Sequence, residues 1–304
     1  MSLLLSSYTA TSCLGAGLDA TLHALREQTS GLKICDFETV DLKTFIGEVQ
    51  GVDAVSMPAS LQDFDCRNNR LALMGLQQDG FTQAVQEAAS RFGAHRIGVF
   101  LGTSTAGMLQ TELAYREWHL TQGTLPSWYH YAQTQNSYSV ADFVRSYFQL
   151  SGPAMVVSTA CSSSSKVFAN AQRMLACGLI DAAVVGGVDS LCLTTLYGFH
   201  SLQLLSEKPC APFDSGRNGI SIGEAAAFAL LVRAPESLPG GAVLLLGVGE
   251  SSDAYHMSAP HPQGLGAHMA MQKALQSAGL TPSQIDSVNP PGTAPPPTDA
   301  AQHK

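Results

Sequence analysis

The sequence predicts an α/β protein, a sheet covered by helices, and three observations carry that reading. Short apolar runs alternate with stretches of helical periodicity along most of the chain. Glycine and turn residues bound the runs, as expected for buried strands entered from tight turns. The composition is 45% hydrophobic and only 13% charged, with 28 Gly in 304 residues, which suits closely packed helices and sheets better than a coiled coil or a disordered chain. Strands separated by helices imply mainly parallel pairing with helices on both faces.

The elements follow in order. Residues 3–5 begin a strand, and Leu18, Leu22 and Leu25 fall at helical spacing before Gly31 closes the unit. Residues 71–92 repeat apolar positions at steps of three and four, and residues 96–102 form a buried strand. Helix 137–150, strand 154–158, helix 162–177 and strand 182–188 continue the alternation. Apolar strands at 224–232 and 243–248 and a helix at 266–278 complete it. A turn-rich segment at 235–241 divides residues 1–236 from a short second part, 237–304. The second part has too few elements to cover an independent sheet, so it docks on the first as a partial layer or is covered by a partner. From Asn289 the chain reads Asn-Pro-Pro-Gly-Thr-Ala-Pro-Pro-Pro, which suits an extended tail because proline lacks an amide donor.

Charge and cysteine content exclude several classes. A net charge of −8 with no basic run makes nucleic acid and anionic membrane poor partners. Seven cysteines, an odd number without a Cys-x-x-Cys pair, read as reduced cytosolic thiols, so a cytoplasmic location is expected. Ala10-Thr11-Ser12-Cys13 faintly resembles a lipoprotein cleavage site, but no Lys or Arg precedes Arg26 and Ser6, Ser7 and Tyr8 interrupt the apolar run; it reads as a strand. No run approaches the length of a membrane span. His256, His261 and His268 lie five and seven residues apart with prolines between the first two, which matches no common metal-ligand pattern, so no metal and no cofactor is expected.

The most informative segment is Val156-Val157-Ser158-Thr159-Ala160-Cys161-Ser162-Ser163-Ser164-Ser165. An apolar strand leads into a turn of small residues, and Cys161 stands where a helix begins. Free amides and the helix dipole there favour a thiolate, and small serines leave room for a bulky acyl group. An isolated cysteine is more often a buried structural residue beside capping serines. On a strand-to-helix elbow, Cys161 is the candidate nucleophile, and the other six cysteines are expected to fill the core.

Those residues carry a resemblance. Ser158-Thr159-Ala160-Cys161-Ser162-Ser163 is similar to the active-site elbow of β-ketoacyl-acyl-carrier-protein synthases, the ketosynthases of the thiolase fold. Residues 96–102 with Thr103 and Ser104, then Pro212-Phe213-Asp214 with Arg217, Gly219, Gly223 and Glu224, then Ser252-Asp253-Ala254-Tyr255-His256 with Ala259-Pro260, resemble further family stretches in the same order. The resemblance implies an α/β/α/β/α layered fold with an incomplete second half. Asp214 and Arg217 sit among turn formers and are expected to form a structural ion pair; with Glu224 they read as structural rather than catalytic.

The resemblance also implies two histidines and a lysine for decarboxylative condensation, because donors must stabilise the developing enolate charge. The loop matching the family's first histidine reads Asn289-Pro290-Pro291-Gly292-Thr293, which puts Pro291 at the histidine position. The remaining residues lie farther along in the family than Lys304. The expectation is a non-condensing subunit of chain-length-factor type that pairs with an active ketosynthase through the strand near 154–159. The preceding segment, with Tyr129, Tyr131, Gln133 and Gln135, would face the partner and its acyl tunnel. Acyl carrier protein and an acyl thioester are candidate further partners. The alternatives are an active synthase or acyltransferase using Cys161, and a scaffold without substrate contact.

Overall fold

The computed structural model describes residues 1–121, 123–256 and 260–290. The chain forms β1 (Leu3–Ser12), β2 (Gly15–Ala16), α1 (Leu18–Arg26), β3 (Lys33–Ile34) and β4 (Phe45–Gly47), then α2 (Arg67–Leu76) and α3 (Phe81–Phe92). Next come β5 (Ile97–Gly102), α4 (Met108–Thr121), α5 (Ser139–Tyr147), β6 (Ala154–Val157), α6 (Ser163–Ala176), β7 (Ala182–Asp189) and α7 (Leu193–Ser201). The chain continues with β8 (Ile222–Gly223), β9 (Ala225–Arg233), β10 (Leu244–Leu245) and α8 (Leu265–Ala278). The apolar stretch at 71–92 is thus two helices, broken at Gly80, whose positive φ a bulkier residue would resist. The expected strand at 243–248 shortens to β10, paired with the start of β1.

The large sheet has the order β10-β1-β9-β7-β5-β6, with β2 folded back on β1; β3, β4 and β8 form a smaller sheet. Pairing is mixed rather than mainly parallel. β5 runs parallel to β6 and β7, but β9 lies antiparallel to both β7 and β1. The reason is the link between β7 and β9, which does not return to the start of β7. Ala225 therefore pairs with Asp189, and β9 begins where β7 ends.

Alternating side chains divide the core between the two faces. Ala182, Val184 and Val188 of β7 pack with Leu71, Phe81, Val85 and Phe143 from α2, α3 and α5. Ala183 and Val185 pack with Val167, Ala171 and Leu175 of α6 on the other face. Burying each large side chain contributes roughly 1.5–3 kcal/mol. A third cluster joins Phe37, Ile46, Leu109, Leu191, Cys192 and Leu196, binding the small sheet to α4 and α7.

Two glycines set the height of α6 above the sheet. A Cβ on Gly102 would lie 2.3 Å from the Ser164 amide nitrogen, and one on Gly187 would lie 2.6 Å from the Ser164 Cβ. The first turn of α6 therefore rests directly on the backbones of β5 and β7. Farther along, Lys166 of α6 pairs with Glu250 at 2.8 Å, and Arg173 contacts the same carboxylate. This links α6 to the segment before α8. No described helix is long and apolar enough to cross a membrane.

Candidate functional site

Cys161 stands between the end of β6 and the start of α6, exposed at the rim of a cavity of about 650 Å³. The walls are Leu5 and Tyr8 of β1, Ala227 and Ala229 of β9, Gly186 and Gly187 of β7, and Phe168 of α6. The elbow depends on Ala160, whose φ of +51° lies in the left-handed region that non-glycine residues rarely adopt. Its carbonyl accepts hydrogen bonds from the Ser163 hydroxyl at 2.6 Å, the Ser163 amide at 3.1 Å and the Ser104 hydroxyl at 3.0 Å. The Ser163 hydroxyl also accepts the Thr159 amide at 2.8 Å, closing the turn. The serines after Cys161 thus do more than leave space.

The second layer is built on two carboxylates. Asp189, at the end of β7, accepts at Oδ1 from the Ser104 amide (2.6 Å), the Thr105 amide (2.9 Å), the Thr105 hydroxyl (3.0 Å) and the Thr103 hydroxyl (3.1 Å). It fixes the turn after β5 that carries Ser104. Glu224, only 3% exposed, takes both Nε (2.9 Å) and Nη2 (2.6 Å) of Arg67 and also accepts the amides of Val49 and Leu191 at 2.9 Å each. A buried carboxylate needs such partners to remain charged at acceptable cost. Sequence reasoning assigns no role to Arg67 or Asp189; the one local signal for Asp189 is an acid that ends an apolar strand after Gly186-Gly187.

The remaining expected residues divide between linked and separate positions. Tyr129 and Gln135 converge on α4, where the Thr111 hydroxyl lies 2.9 Å from the Tyr129 hydroxyl and donates to Gln135 Oε1 at 2.6 Å. The Gln133 carbonyl accepts the Asn69 side-chain amide at 3.3 Å, and Tyr131 is exposed. The carbonyl of Thr134, between Gln133 and Gln135, accepts the Gly107 amide at 2.9 Å, tying the segment to the chain following the Ser104 turn. Asp214 and Arg217 meet through the main chain: the guanidinium donates to the Asp214 carbonyl at 2.7 Å, while the Asp214 carboxylate accepts the Gly216 amide at 2.7 Å. A tight turn, in which the carboxylate caps its own loop, accounts for these two contacts.

Of the other cysteines, Cys66 and Cys192 are buried, and burial pushes the Cys66 thiol up to about 12. Cys177, by contrast, is exposed at the end of α6, because the helix turns its last residue to solvent there. It does not fill the core. Cys13, Cys35 and Cys210 are half-buried. The His261 ring packs edge-on against Tyr255 at 5.0 Å, and its amide donates to Asp253 at 2.9 Å. Among the described residues, no group of three or more His, Cys, Asp or Glu side chains is arranged to hold a metal. No histidine is among the described residues lining the Cys161 cavity. Pro291 lies outside the described residues.

A cysteine on a strand-to-helix elbow above a mixed α/β sheet has the placement of a candidate thiol nucleophile, and the layered fold is thiolase-like. Family models agree: the beta-ketoacyl synthase N-terminal domain matches residues 9–237 and the C-terminal domain matches residues 242–303. The chain belongs to the beta-ketoacyl synthase family. Among curated relatives, 3-oxoacyl-acyl-carrier-protein synthase 2 of Rhizobium meliloti is 37% identical over 48% of this chain and 37% of its own length. Nodulation protein E of the same organism is 33% identical over 66% of this chain and 50% of its own length. The chain thus spans half or less of the length of these two relatives. Among solved structures, a ketosynthase in complex with its chain length factor from Xenorhabdus doucetiae superposes with a TM-score of 0.88 at 37% identity, covering 99% of this chain and 74% of that one.

Proposed function

We propose that this chain is a ketosynthase-like, non-condensing subunit of chain-length-factor type, which pairs with an active β-ketoacyl synthase in fatty-acid, polyketide or polyene biosynthesis. The observation that carries this is Pro291 in the loop where the family places a histidine, in a chain whose cysteine elbow is otherwise intact. Proline offers no side-chain proton to a thioester oxygen, so the enolate formed by decarboxylation would lack that donor. Residues 1–236 would carry the elbow and 237–304 a partial second half.

Two features support pairing. Among the described residues β6 is an edge strand of the large sheet, with Met155 39% exposed, and an edge strand is what another strand can extend. The similar Xenorhabdus doucetiae structure is itself a complex of two such subunits. In this reading Tyr129, Tyr131, Gln133 and Gln135 face the partner, and bulky side chains there limit product length by excluded volume. Acyl carrier protein and its acyl thioester would be met at the Cys161 cavity.

A second reading, an active synthase or acyltransferase, is favoured by the exposure of Cys161 at the cavity rim. In that chemistry the Cys161 thiolate attacks a thioester carbonyl, the carrier thiol leaves, and the acyl group is held as a protein thioester. Co-expression with candidate ketosynthases and assay of the purified chain with acyl and malonyl carrier thioesters separate the two. The first predicts a stable heterodimer and no condensation by the chain alone. Condensation by the isolated chain that disappears in Cys161→Ala would overturn it.

A further inference from the structure

We infer that Asp189 and Ser104 are positioning residues for Cys161, acting through the Ala160 carbonyl; the inference rests on the reading of Cys161 as an acyl-accepting thiol. The path is continuous. Asp189 Oδ1 holds the Ser104 and Thr105 amides and the Thr103 and Thr105 hydroxyls, and the Ser104 hydroxyl donates to the Ala160 carbonyl at 3.0 Å. The two turns it joins are both strained: Ala106 has a φ of +45° and Ala160 a φ of +51°. Left-handed backbone at a non-glycine residue costs about 1–3 kcal/mol and persists only where surrounding contacts hold it.

The consequence for the thiol is geometric. A change of φ at Ala160 rotates the peptide that follows and therefore the direction in which the Cys161 side chain leaves the chain. Ser163 holds the same carbonyl from the helix side, and Ser104 holds it from the sheet side. Only the second contact ties the elbow to a different part of the fold. Asp189 is placed to keep that tie rigid, since it also borders the cavity that Cys161 overlooks. The Thr105 hydroxyl, which donates to Asp189, also accepts the Ser190 amide at 3.0 Å, so the β5 and β7 ends are locked to each other.

The test uses Cys177 as an internal reference, because it is exposed at the opposite end of α6. The whole chain is treated with iodoacetamide under native conditions, and the rates at Cys161 and Cys177 are followed by peptide mass spectrometry. Ser104→Ala and Asp189→Ala should lower the Cys161-to-Cys177 rate ratio about tenfold, with Ser104→Thr and Asp189→Asn, which keep the donor and the acceptor, close to the parent. An unchanged ratio in Ser104→Ala, in protein that melts at the parent temperature, overturns the inference. Ser104→Ala decides alone if Asp189→Ala does not fold. Acyl loading from a carrier thioester is measured separately on the parent protein. If Cys161 never loads while the ratio still falls in the variants, the acyl-acceptor reading fails and the positioning role stands.

Discussion

Arg67 and Glu224 form a two-pronged ion pair in which both side chains are almost wholly withdrawn from solvent. Burial by itself pulls the guanidinium down, but Glu224 and then Asp53 outweigh it, and Arg67 is raised above its ordinary value. The pair connects α2 to the start of β9, and through the Leu191 amide it also reaches the chain that follows Asp189.

Removing one partner should therefore cost more than removing a surface pair. Arg67→Met leaves a buried carboxylate with two amide donors and no counter-charge, and a loss of about 3–5 kcal/mol is expected. Chemical denaturation checks this; a change under about 1 kcal/mol would contradict the stated role of the pair.

Gly102→Ala should be among the most damaging single-carbon additions to the chain. The new Cβ would meet the Ser164 amide nitrogen at 2.3 Å, so α6 must lift from β5. Overpacking of this kind costs about 1–3 kcal/mol or more. Because α6 carries the elbow, loss of Cys161 alkylation should accompany the fall in melting temperature.

Asp181 provides a pH-dependent contribution. Its hydrogen bond with Arg96 at 2.7 Å, followed by that with Arg233 at 2.8 Å, holds its carboxyl down to about 2 against an ordinary 3.8. A lowered carboxyl stabilises the fold above its unfolded value and stops doing so as pH falls from about 4 through 2. Asp181→Asn should cost at most about 1 kcal/mol at neutral pH, since solvent screens the pair. The difference should shrink as the pH falls through about 2 and vanish only below it in urea titrations of both proteins; a gap undiminished on that descent would rule out this origin.

The pairing proposal places Met155 on the open edge of β6. Met155→Asp introduces a charge where a partner strand would lie, which should abolish co-purification with a ketosynthase while leaving the melting temperature of the isolated chain within a few degrees of the parent. Unaltered heterodimer yield would exclude β6 as the contact.

The sequence by itself determined the class of fold and the position of the elbow. Both are local: the periodicity of 182–188 and 266–278 survives in β7 and α8, and the small residues from Ser158 to Ser162 form the turn between β6 and α6. It did not determine that β9 would run antiparallel between β7 and β1, because alternation of apolar residues reports which faces are buried and carries no direction. Nor did it reveal that Asp189 and Ser104 hold Ala160, or that Arg67 meets Glu224, residues separated by 157 positions. Charge pairs and hydrogen bonds between distant segments exist only once the sheet has brought those segments together. Tertiary structure therefore decided which polar groups hold the Ala160 carbonyl next to Cys161.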